Sequence, residues 1–405
     1  MPTDLEAVVS LSLSMAEIAT KFANSHAPSK HLQDQIAIAA EKLAIAAREP
    51  DENMYYLASQ IPQNAAIRSV ISMGVLDVMP LDGGAVTPEE VGSRLNIPSD
   101  LVGRMLRACA AAHFFISASA NHYAHSALSR NFLSLDNRAM FTQMYDFLGP
   151  GVLAIPAFCA SGGWTTAGAY DNGPFQLAEH TDLGYWEFLA SKPDRLKAFN
   201  SGMRLGKFQT LTRSAFPFGD ALDHDPCEDG GVAIVDVGGG RGQRLEMIRA
   251  DWPLLKGRMV LQDLPDVITD AKERGLPPFI ETSVGSFFEE QPVKGARVYH
   301  FRRIFHCWTA EKCELILRNT KDALDDLSRL VIADMVLPDV DCPRDLAMKD
   351  LNMMSLGGME RSASQWRGLI ESAGLAMRKI WINEDGPEHA IIEAVLPTFK
   401  GHHLD

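Results

Sequence analysis

A run of glycines between an apolar segment and a helical segment restricts the fold of this chain more than any other feature. Residues 233–237, AIVDV, predict a short buried strand, and residues 243–250 predict a helix. The turn between them contains Gly238, Gly239, Gly240 and Gly242. Glycine lets the backbone approach a ligand closely, and the helix that follows directs its first amide groups toward an anion. We therefore expect this turn to belong to a ligand-binding site.

The same strand-to-helix pattern continues towards the C-terminus and predicts an α/β fold. Further strands are predicted at residues 258–262, 297–301 and 329–333. Further helices are predicted at residues 265–273, 309–325 and 363–373. The segments AMRKIWI and HAIIEAVL then predict a terminal hairpin. This alternation indicates an open, largely parallel, Rossmann-like sheet that binds its ligand at the carboxyl ends of the strands.

The part of the chain that precedes the sheet is predicted to be mostly helical. Residues 5–48 contain an amphipathic helix, which could be a dimer arm or a cover for the next domain. Residues 64–135 show three helical segments, one of them capped by Thr87, and a hairpin that turns at Ala120 and Asn121. Three helices and a small hairpin describe a winged helix. Its arginines are offset by acidic residues, so we favour dimerisation over DNA binding, which needs a basic face.

Composition favours a protein that acts on a small molecule. The 405 residues carry a formal net charge of −14, which disfavours nucleic-acid partners. The six cysteines show no CxxC pair and no metal-ligand spacing, so we expect reduced thiols and no metal site. The N-terminus has no basic signal-like segment, and no apolar run approaches about 18 residues, so we expect a cytoplasmic protein that does not cross a membrane.

The predicted organisation has four regions. They are an N-terminal helical arm at 1–60, a winged-helix dimerisation domain at 61–137, a helical linker that contributes to the substrate pocket at 138–215, and the catalytic sheet domain at 216–398.

The spacing of the glycines identifies the class of ligand. A dinucleotide motif GxGxxG would need a glycine at Gln243 or at Leu245. The chain instead has Asp-x-Gly-x-Gly-x-Gly from Asp236, a spacing typical of S-adenosylmethionine sites, where the acid accepts from the ammonium group. Asp263, at the end of the next predicted strand, can bind both ribose hydroxyls. The alternative is a structural glycine turn followed by a solvated loop aspartate.

Several longer blocks, taken in their order, resemble a known family. They are VDVGGGRG, LQDLPDV, RRIFHCWTAEKCELILRN, IADMVLPD and LNMMSLGGMERSASQWRGLIESAG. Together they resemble the fungal and plant small-molecule O-methyltransferases that have a winged-helix dimerisation domain, and the segments YAHSALSRNF and YWEFLASKPDRLKAFNSGM match the fungal subgroup. The resemblance covers roughly residues 60–398. It implies a class I methyltransferase sheet, S-adenosylmethionine as cofactor and a homodimer.

The catalytic prediction centres on His306, which follows the strand predicted at 297–301. A phenol or enol oxygen must lose its proton before it accepts a methyl group, and histidine titrates near neutral pH. The resemblance implies that Asp334 and Glu360 are the acidic pair around this base; either could instead be a surface residue or a helix cap. The family has aspartate directly after the base, whereas this chain has Cys307.

The remaining site predictions combine the strand ends with the resemblance. Arg302 matches a basic position near the cofactor carboxylate, and Ser286 stands where the family has an acid at the adenine, which leaves that contact to Phe287 and the backbone. The predicted cofactor-binding residues are Asp236, Gly238, Gly239, Gly240, Asp263, Leu264, Ser286, Phe287 and Arg302. The predicted substrate-binding residues are His125, Met144, Phe147, Tyr185, Phe188, Met203, Met353 and Met354. Each apolar member of that set could equally pack in a core.

Three functions are compatible with these features. The leading hypothesis is an O-methyltransferase that acts on a hydroxylated aromatic or polyketide-type metabolite. A second hypothesis keeps the fold and the cofactor but replaces methyl transfer by dehydration and pericyclic ring formation, with the cofactor's charge giving electrostatic help. Cys307 and the Arg302–Arg303 pair favour it, and His306 argues against it. A third, a non-catalytic regulator built on the winged helix, is disfavoured by the acidic charge.

Overall fold

Two units make up the fold, Met1–Thr142 and Gln143–Asp405. The computed structural model describes residues 5–24, 30–164, 172–193, 195–196, 215–225, 227, 230–382 and 389–404.

Helices form most of the N-terminal unit. They are α1 (Leu5–Asn24), α2 (Lys30–Ala47), α3 (Pro50–Ala58), α4 (Gln60–Met73), α5 (Val75–Val78), α6 (Pro88–Leu95), α7 (Ser99–Ala111), α8 (Ala127–Asn131) and α9 (Leu135–Thr142). The strands β1 (Phe115–Ser119) and β2 (His122–His125) pair in an antiparallel hairpin. Thr87 caps α6 as predicted, because its hydroxyl accepts from the Glu90 amide. The three helices and the hairpin predicted within residues 64–135 are therefore confirmed.

Helices also begin the C-terminal unit, before its sheet. A π-helical turn at Gln143–Leu148 leads into α10 (Gly149–Ser161), and α11 (Pro174–Glu179), α12 (Tyr185–Ala190) and α13 (Phe218–His224) follow.

A seven-stranded sheet forms the centre of the C-terminal unit. Its strands are β3 (Val232–Val237), β4 (Arg258–Asp263), β5 (Ile280–Val284), β6 (Val298–Arg302), β7 (Arg329–Ala333), β10 (Ala376–Trp381) and β11 (Ile391–Val395). Their order is β10-β11-β7-β6-β3-β4-β5, parallel except that β11 is antiparallel to both of its neighbours. A separate short pair joins β8 (Val336–Leu337) to β9 (Arg361–Ser362). The open, largely parallel sheet and the terminal hairpin are both confirmed.

Helices cover both faces of this sheet. They are α14 (Gln243–Asp251), α15 (Pro265–Glu273), α16 (Ala310–Lys321) and α18 (Ala363–Ser372), whereas α17 (Arg344–Ser355) packs against α10 and α11. Successive strand residues alternate between two cores: Val260 packs with residues of α16 and α18, whereas Met259 packs with residues of α14 and α15. This period of two is what a sheet buried on both faces requires.

Strand β5 and helix α17 were not predicted from the sequence. The β5 sequence IETSV is polar in its middle, and the strand lies at the edge of the sheet, where only its first residue is buried. The strand therefore has no apolar run that would predict it from the sequence.

One helical stretch differs from the expectation about membranes. Leu135–Ser161 is a helical stretch of 27 residues, which is long and apolar enough to cross a bilayer by length and composition alone. Its first turns nevertheless carry Arg138, whose guanidinium donates to both carboxylate oxygens of Asp77 at 2.7 Å. Part of the stretch is thus fixed within the N-terminal unit by an ion pair.

Candidate active site

The site lies where four neighbouring parallel strands end. Strands β4, β3, β6 and β7 are adjacent, and their carboxyl ends lead to Asp263, the glycine turn, Arg302 and Asp334. The parallel register places these ends at one edge of the sheet, which is where open α/β sheets bind ligands. Sequence positions separated by about a hundred residues are brought together in this way.

The glycine turn packs tightly against the sheet at one end and borders open space at the other. The Gly238 amide donates to the Gln262 carbonyl at 2.8 Å. A Cβ atom on Gly239 would lie 2.4 Å from Asp236 Oδ2 and 2.6 Å from Leu261 Cδ1, so no side chain fits there. At Gly240, φ is +60° and a Cβ atom would meet nothing within 4 Å. The turn therefore offers exposed backbone at Gly240, held by close packing at Gly239.

Asp236 is buried beneath this turn and is bonded to a histidine that the sequence analysis missed. His300 Nδ1 donates to Asp236 Oδ1 at 2.7 Å, and the two side chains are 0% and 1% exposed. Among the described residues, Asp236 Oδ2 and His300 Nε2 have no hydrogen-bond partner. Burial lowers the pKa of His300 despite the neighbouring carboxylate, so a neutral imidazole holds the charged aspartate. A histidine within the apolar strand VYHFR was the signal that could have identified it.

Asp263 connects the glycine turn to the next strand. Its Oδ2 accepts from the Gly240 amide at 2.9 Å and its Oδ1 accepts from the Leu264 amide at 2.8 Å. Burial raises the pKa of this carboxyl against the effect of the two amides. The carboxylate therefore has a fixed orientation at the strand end, and each oxygen keeps a second lone pair that can accept from a ligand hydroxyl.

His306, Glu360 and Asp334 form a cluster in which the two carboxylates are buried and the imidazole is partly exposed. His306 lies on a 3₁₀ turn, Phe305–Cys307, and its Nδ1 donates to Glu360 Oε1 at 2.8 Å. Asp334 Oδ1 lies 3.9 Å from the same nitrogen. Neither oxygen of Asp334 has a hydrogen-bond partner among the described residues. One ligand atom from each residue lies within 4.8 Å of the others, a spacing that can also hold a cation.

A second set of contacts fixes Glu360 beside the histidine. The loop after α17 donates from the Met359 amide to the His306 carbonyl at 2.9 Å. Arg361, which the sequence analysis did not single out, donates to the carbonyls of Phe305 and Trp308 at 3.0 Å each. The histidine turn and the glutamate loop therefore behave as one unit, although 54 positions separate the two side chains.

The residues around His306 change the pKa of its imidazole. Burial disfavours the imidazolium, but Cys307, Asp334 and Glu360 together outweigh burial and raise the pKa of His306 well above its usual value. Burial also raises the pKa of Asp334. A histidine with one nitrogen bonded to a carboxylate presents its other nitrogen, Nε2, to a proton donor.

The other predicted cofactor residues lie around the same edge. Ser286 Oγ accepts from the Phe288 amide at 3.2 Å, and the Phe287 ring lies 6.1 Å from that of Trp308. Arg302 ends β6, where burial lowers its pKa. Cys307 Sγ lies 3.9 Å from the Arg303 carbonyl.

The predicted substrate-binding residues lie in several different parts of the structure. Tyr185 and Phe188 lie in one apolar cluster with Phe175, and the guanidinium of Arg195 lies over both Phe188 and Phe147. Gln143, on the π-helical turn, donates to the Tyr185 hydroxyl at 2.7 Å and was not predicted. Met144 lies on the same turn and is partly exposed.

The remaining predicted substrate-binding residues lie outside this apolar cluster. Met353 and Met354 end α17, and the Met353 carbonyl accepts from the Gly358 amide in the loop that contacts His306. His125 is buried in the N-terminal unit, where its Nδ1 lies 2.9 Å from Ser129 Oγ. Met203 lies outside the described residues. The assignment of all these residues to a substrate pocket stays a prediction.

Comparisons with known proteins agree with this geometry. The O-methyltransferase dimerisation domain matches residues 56–134, and the O-methyltransferase domain matches residues 183–376. O-methyltransferase GME11366 of Pestalotiopsis microspora is 56% identical over the whole length of both chains. Demethylsterigmatocystin 6-O-methyltransferase of Aspergillus flavus is 32% identical over 84% of this chain and 86% of its own.

A solved structure agrees as well. That of OxaC in complex with SAH and oxaline superimposes with a TM-score of 0.83, at 28% identity, over 96% of this chain and 99% of OxaC. The sheet order, the site at its carboxyl edge and these matches lead to one conclusion. This chain belongs to the O-methyltransferase family.

Proposed function

We propose that this enzyme transfers a methyl group from S-adenosylmethionine to a hydroxyl of a phenolic or polyketide-type metabolite, with His306 as the general base. The observation that carries the proposal is the 2.8 Å bond from His306 Nδ1 to Glu360, beside Asp334, at the carboxyl edge of the sheet. An imidazole oriented by a carboxylate is the arrangement that general-base catalysis needs.

The glycine edge of the sheet fits a sulfonium nucleoside. Asp236 Oδ2 is buried without a partner among the described residues, and the Gly240 backbone borders open space. Asp236 would accept from the ammonium group of the cofactor, and Asp263 from its ribose hydroxyls. S-adenosylmethionine, when bound, supplies an activated methyl group, so the protein itself has to position the acceptor and remove a proton.

His306, Glu360 and Asp334 have different roles in the proton transfer. His306 Nε2 accepts the proton of the substrate hydroxyl, while Nδ1–H stays bonded to Glu360. The imidazolium that forms is stabilised by Glu360 and by the second carboxylate, Asp334, 3.9 Å away. The carboxylates hold the ring in the tautomer that leaves Nε2 as the acceptor.

The substrate class rests on the apolar cluster and on a relative. Phe175, Tyr185 and Phe188 pack edge to face, and rings of this kind suit a flat aromatic ligand. One relative, demethylsterigmatocystin 6-O-methyltransferase, is named for methylation at an oxygen. The proposal includes a homodimer, which the match to a dimerisation domain supports.

A transfer assay tests the proposal. Protein is incubated with methyl-labelled S-adenosylmethionine and a panel of phenols and aromatic polyketides. We expect label in an ether product and an equal amount of S-adenosylhomocysteine. Conversion of an acceptor with all label left on the cofactor would instead support the pericyclase hypothesis, to which Cys307 still points.

A change at Glu360 should shift the pH dependence of turnover. The raised pKa of His306 means that the base form is present only above that pKa, so kcat should rise with pH. Glu360→Gln removes a negative charge that raises this pKa, so the midpoint of the kcat profile should move to lower pH. Glu371→Gln, on the exposed end of α18, should leave the midpoint in place. A midpoint that stays fixed or rises in Glu360→Gln would contradict the assignment.

A further inference from the structure

Arg244, at the glycine turn, is a buried arginine that has no bonded partner in the described part of the chain. It is the second residue of α14, directly after the turn, and only 8% of it is exposed. Its Nε atom is enclosed and makes no hydrogen bond, and no carboxylate of the described residues lies within ion-pair distance of its guanidinium. Buried arginines are almost always paired, because an uncompensated charge in the interior is strongly unfavourable.

The charged residues nearest to Arg244 do not form an ion pair with its guanidinium group. Asp236 interacts with Arg244 electrostatically, but its Oδ1 is already bonded to His300. Arg302 is close enough for its positive charge to act on Arg244; burial and then Arg302 lower the pKa of Arg244 to about 10. Asp251, on the same helix, also interacts but makes no ion pair.

Arg244 is therefore left without a bonded carboxylate among the described residues. His300 contributes no charge, because burial lowers its pKa. Arg302 adds a positive charge near Arg244, whereas the carboxylates that act on Arg302 include Asp236 and Asp334. An anion that enters the site from outside would pair with the buried guanidinium of Arg244.

The cofactor itself has one anionic group. S-adenosylmethionine carries a sulfonium, an ammonium and a carboxylate, and the first two are cations. We propose that Arg244, together with Arg302, binds the carboxylate of the cofactor's methionine moiety, while Asp236 accepts from the adjacent ammonium. This assignment rests on the proposed function and adds a residue to it. A guanidinium suits the role because its N–H groups match the two oxygens of a carboxylate.

The test compares a ligand that has the amino-acid moiety with one that lacks it. Isothermal calorimetry measures binding of S-adenosylhomocysteine and of 5′-methylthioadenosine to the full chain. Arg244→Met keeps the length and apolar volume of the side chain and removes the charge. We expect affinity for S-adenosylhomocysteine to fall by about 10- to 100-fold, the range for a lost charge-assisted hydrogen bond. Affinity for 5′-methylthioadenosine should stay within about twofold, and Arg244→Lys should recover part of the loss.

Arg241→Met is the matched control. Arg241 lies in the same turn but is about half exposed and pairs with Asp270 at 2.9 Å, so its loss should alter neither affinity. Unchanged binding of S-adenosylhomocysteine to Arg244→Met, or an equal loss for both ligands, would overturn the inference. Wild-type protein that binds neither ligand would instead overturn the proposed function.

A measurement without any mutation covers the case in which Arg244→Met does not fold. Wild-type protein is titrated with S-adenosylhomocysteine and with its carboxamide, which has the same shape but no negative charge. We expect the carboxamide to bind at least about tenfold more weakly. Equal affinities would show that no cationic side chain of the protein binds the carboxylate of S-adenosylhomocysteine.

Discussion

Replacement of His306 by alanine is expected to lower kcat by about 10²- to 10⁴-fold, the usual contribution of a general base. The imidazole is the group that accepts the hydroxyl proton, and Glu360 and Asp334 are expected not to replace it because both carboxylates are buried. Affinity for S-adenosylhomocysteine should change by less than about twofold, since the predicted cofactor contacts are made by other side chains and by backbone groups. Rates come from the labelled transfer assay and affinities from calorimetry.

His122→Ala provides the control for the loss of a histidine. His122 is exposed on the β-hairpin, where its Nδ1 lies 2.8 Å from the Ala120 carbonyl. Its replacement should leave both kcat and cofactor affinity unchanged. Full activity in His306→Ala would remove this residue from the mechanism, and a parallel loss of cofactor binding would indicate a structural role.

Gly239→Ala should disable cofactor binding by adding one methyl group. That methyl would lie 2.4 Å from Asp236 Oδ2 and 2.6 Å from Leu261 Cδ1, closer than real Cβ atoms approach. The carboxylate or the turn must therefore move. We expect a stability loss of about 1–3 kcal/mol, typical of overpacking, and an affinity for S-adenosylhomocysteine at least about tenfold weaker. Thermal unfolding and calorimetry measure the two effects.

The comparison variant is Gly368→Ala, in helix α18. A Cβ atom at Gly368 meets nothing within 4 Å, so the same change should leave cofactor affinity intact and stabilise the helix by up to about 1 kcal/mol. If Gly239→Ala bound the cofactor as tightly as Gly368→Ala, the close packing of the turn would have no part in binding.

The second hypothesis from the sequence concerns Cys307. In the structure this residue ends the 3₁₀ turn of His306, and its thiol faces the Arg303 carbonyl at 3.9 Å. The base and its carboxylates are nevertheless arranged as proton transfer requires. Methyl transfer therefore remains the leading hypothesis, and the fate of the labelled methyl group decides between the two.

The sequence by itself determined most of the strands and helices and the glycine turn, because these depend on neighbouring residues. AIVDV followed by glycines can form little other than a buried strand and a tight turn. It also placed His306 at a strand end, and the order of the strands then implied one shared edge. Strand β5 escaped because its apolar signal is weak, and α17 was not predicted either.

Only the tertiary structure decided which side chains bond to one another. His300 lies 64 positions from Asp236, and Glu360 lies 54 positions from His306. No local pattern records such pairs, because they arise when parallel strands align and burial leaves each polar group few partners. Arg244 is a further example. In the sequence it is one cation among many, and only the structure shows that it is buried with no bonded partner among the described residues, which is why we propose that it binds an anion.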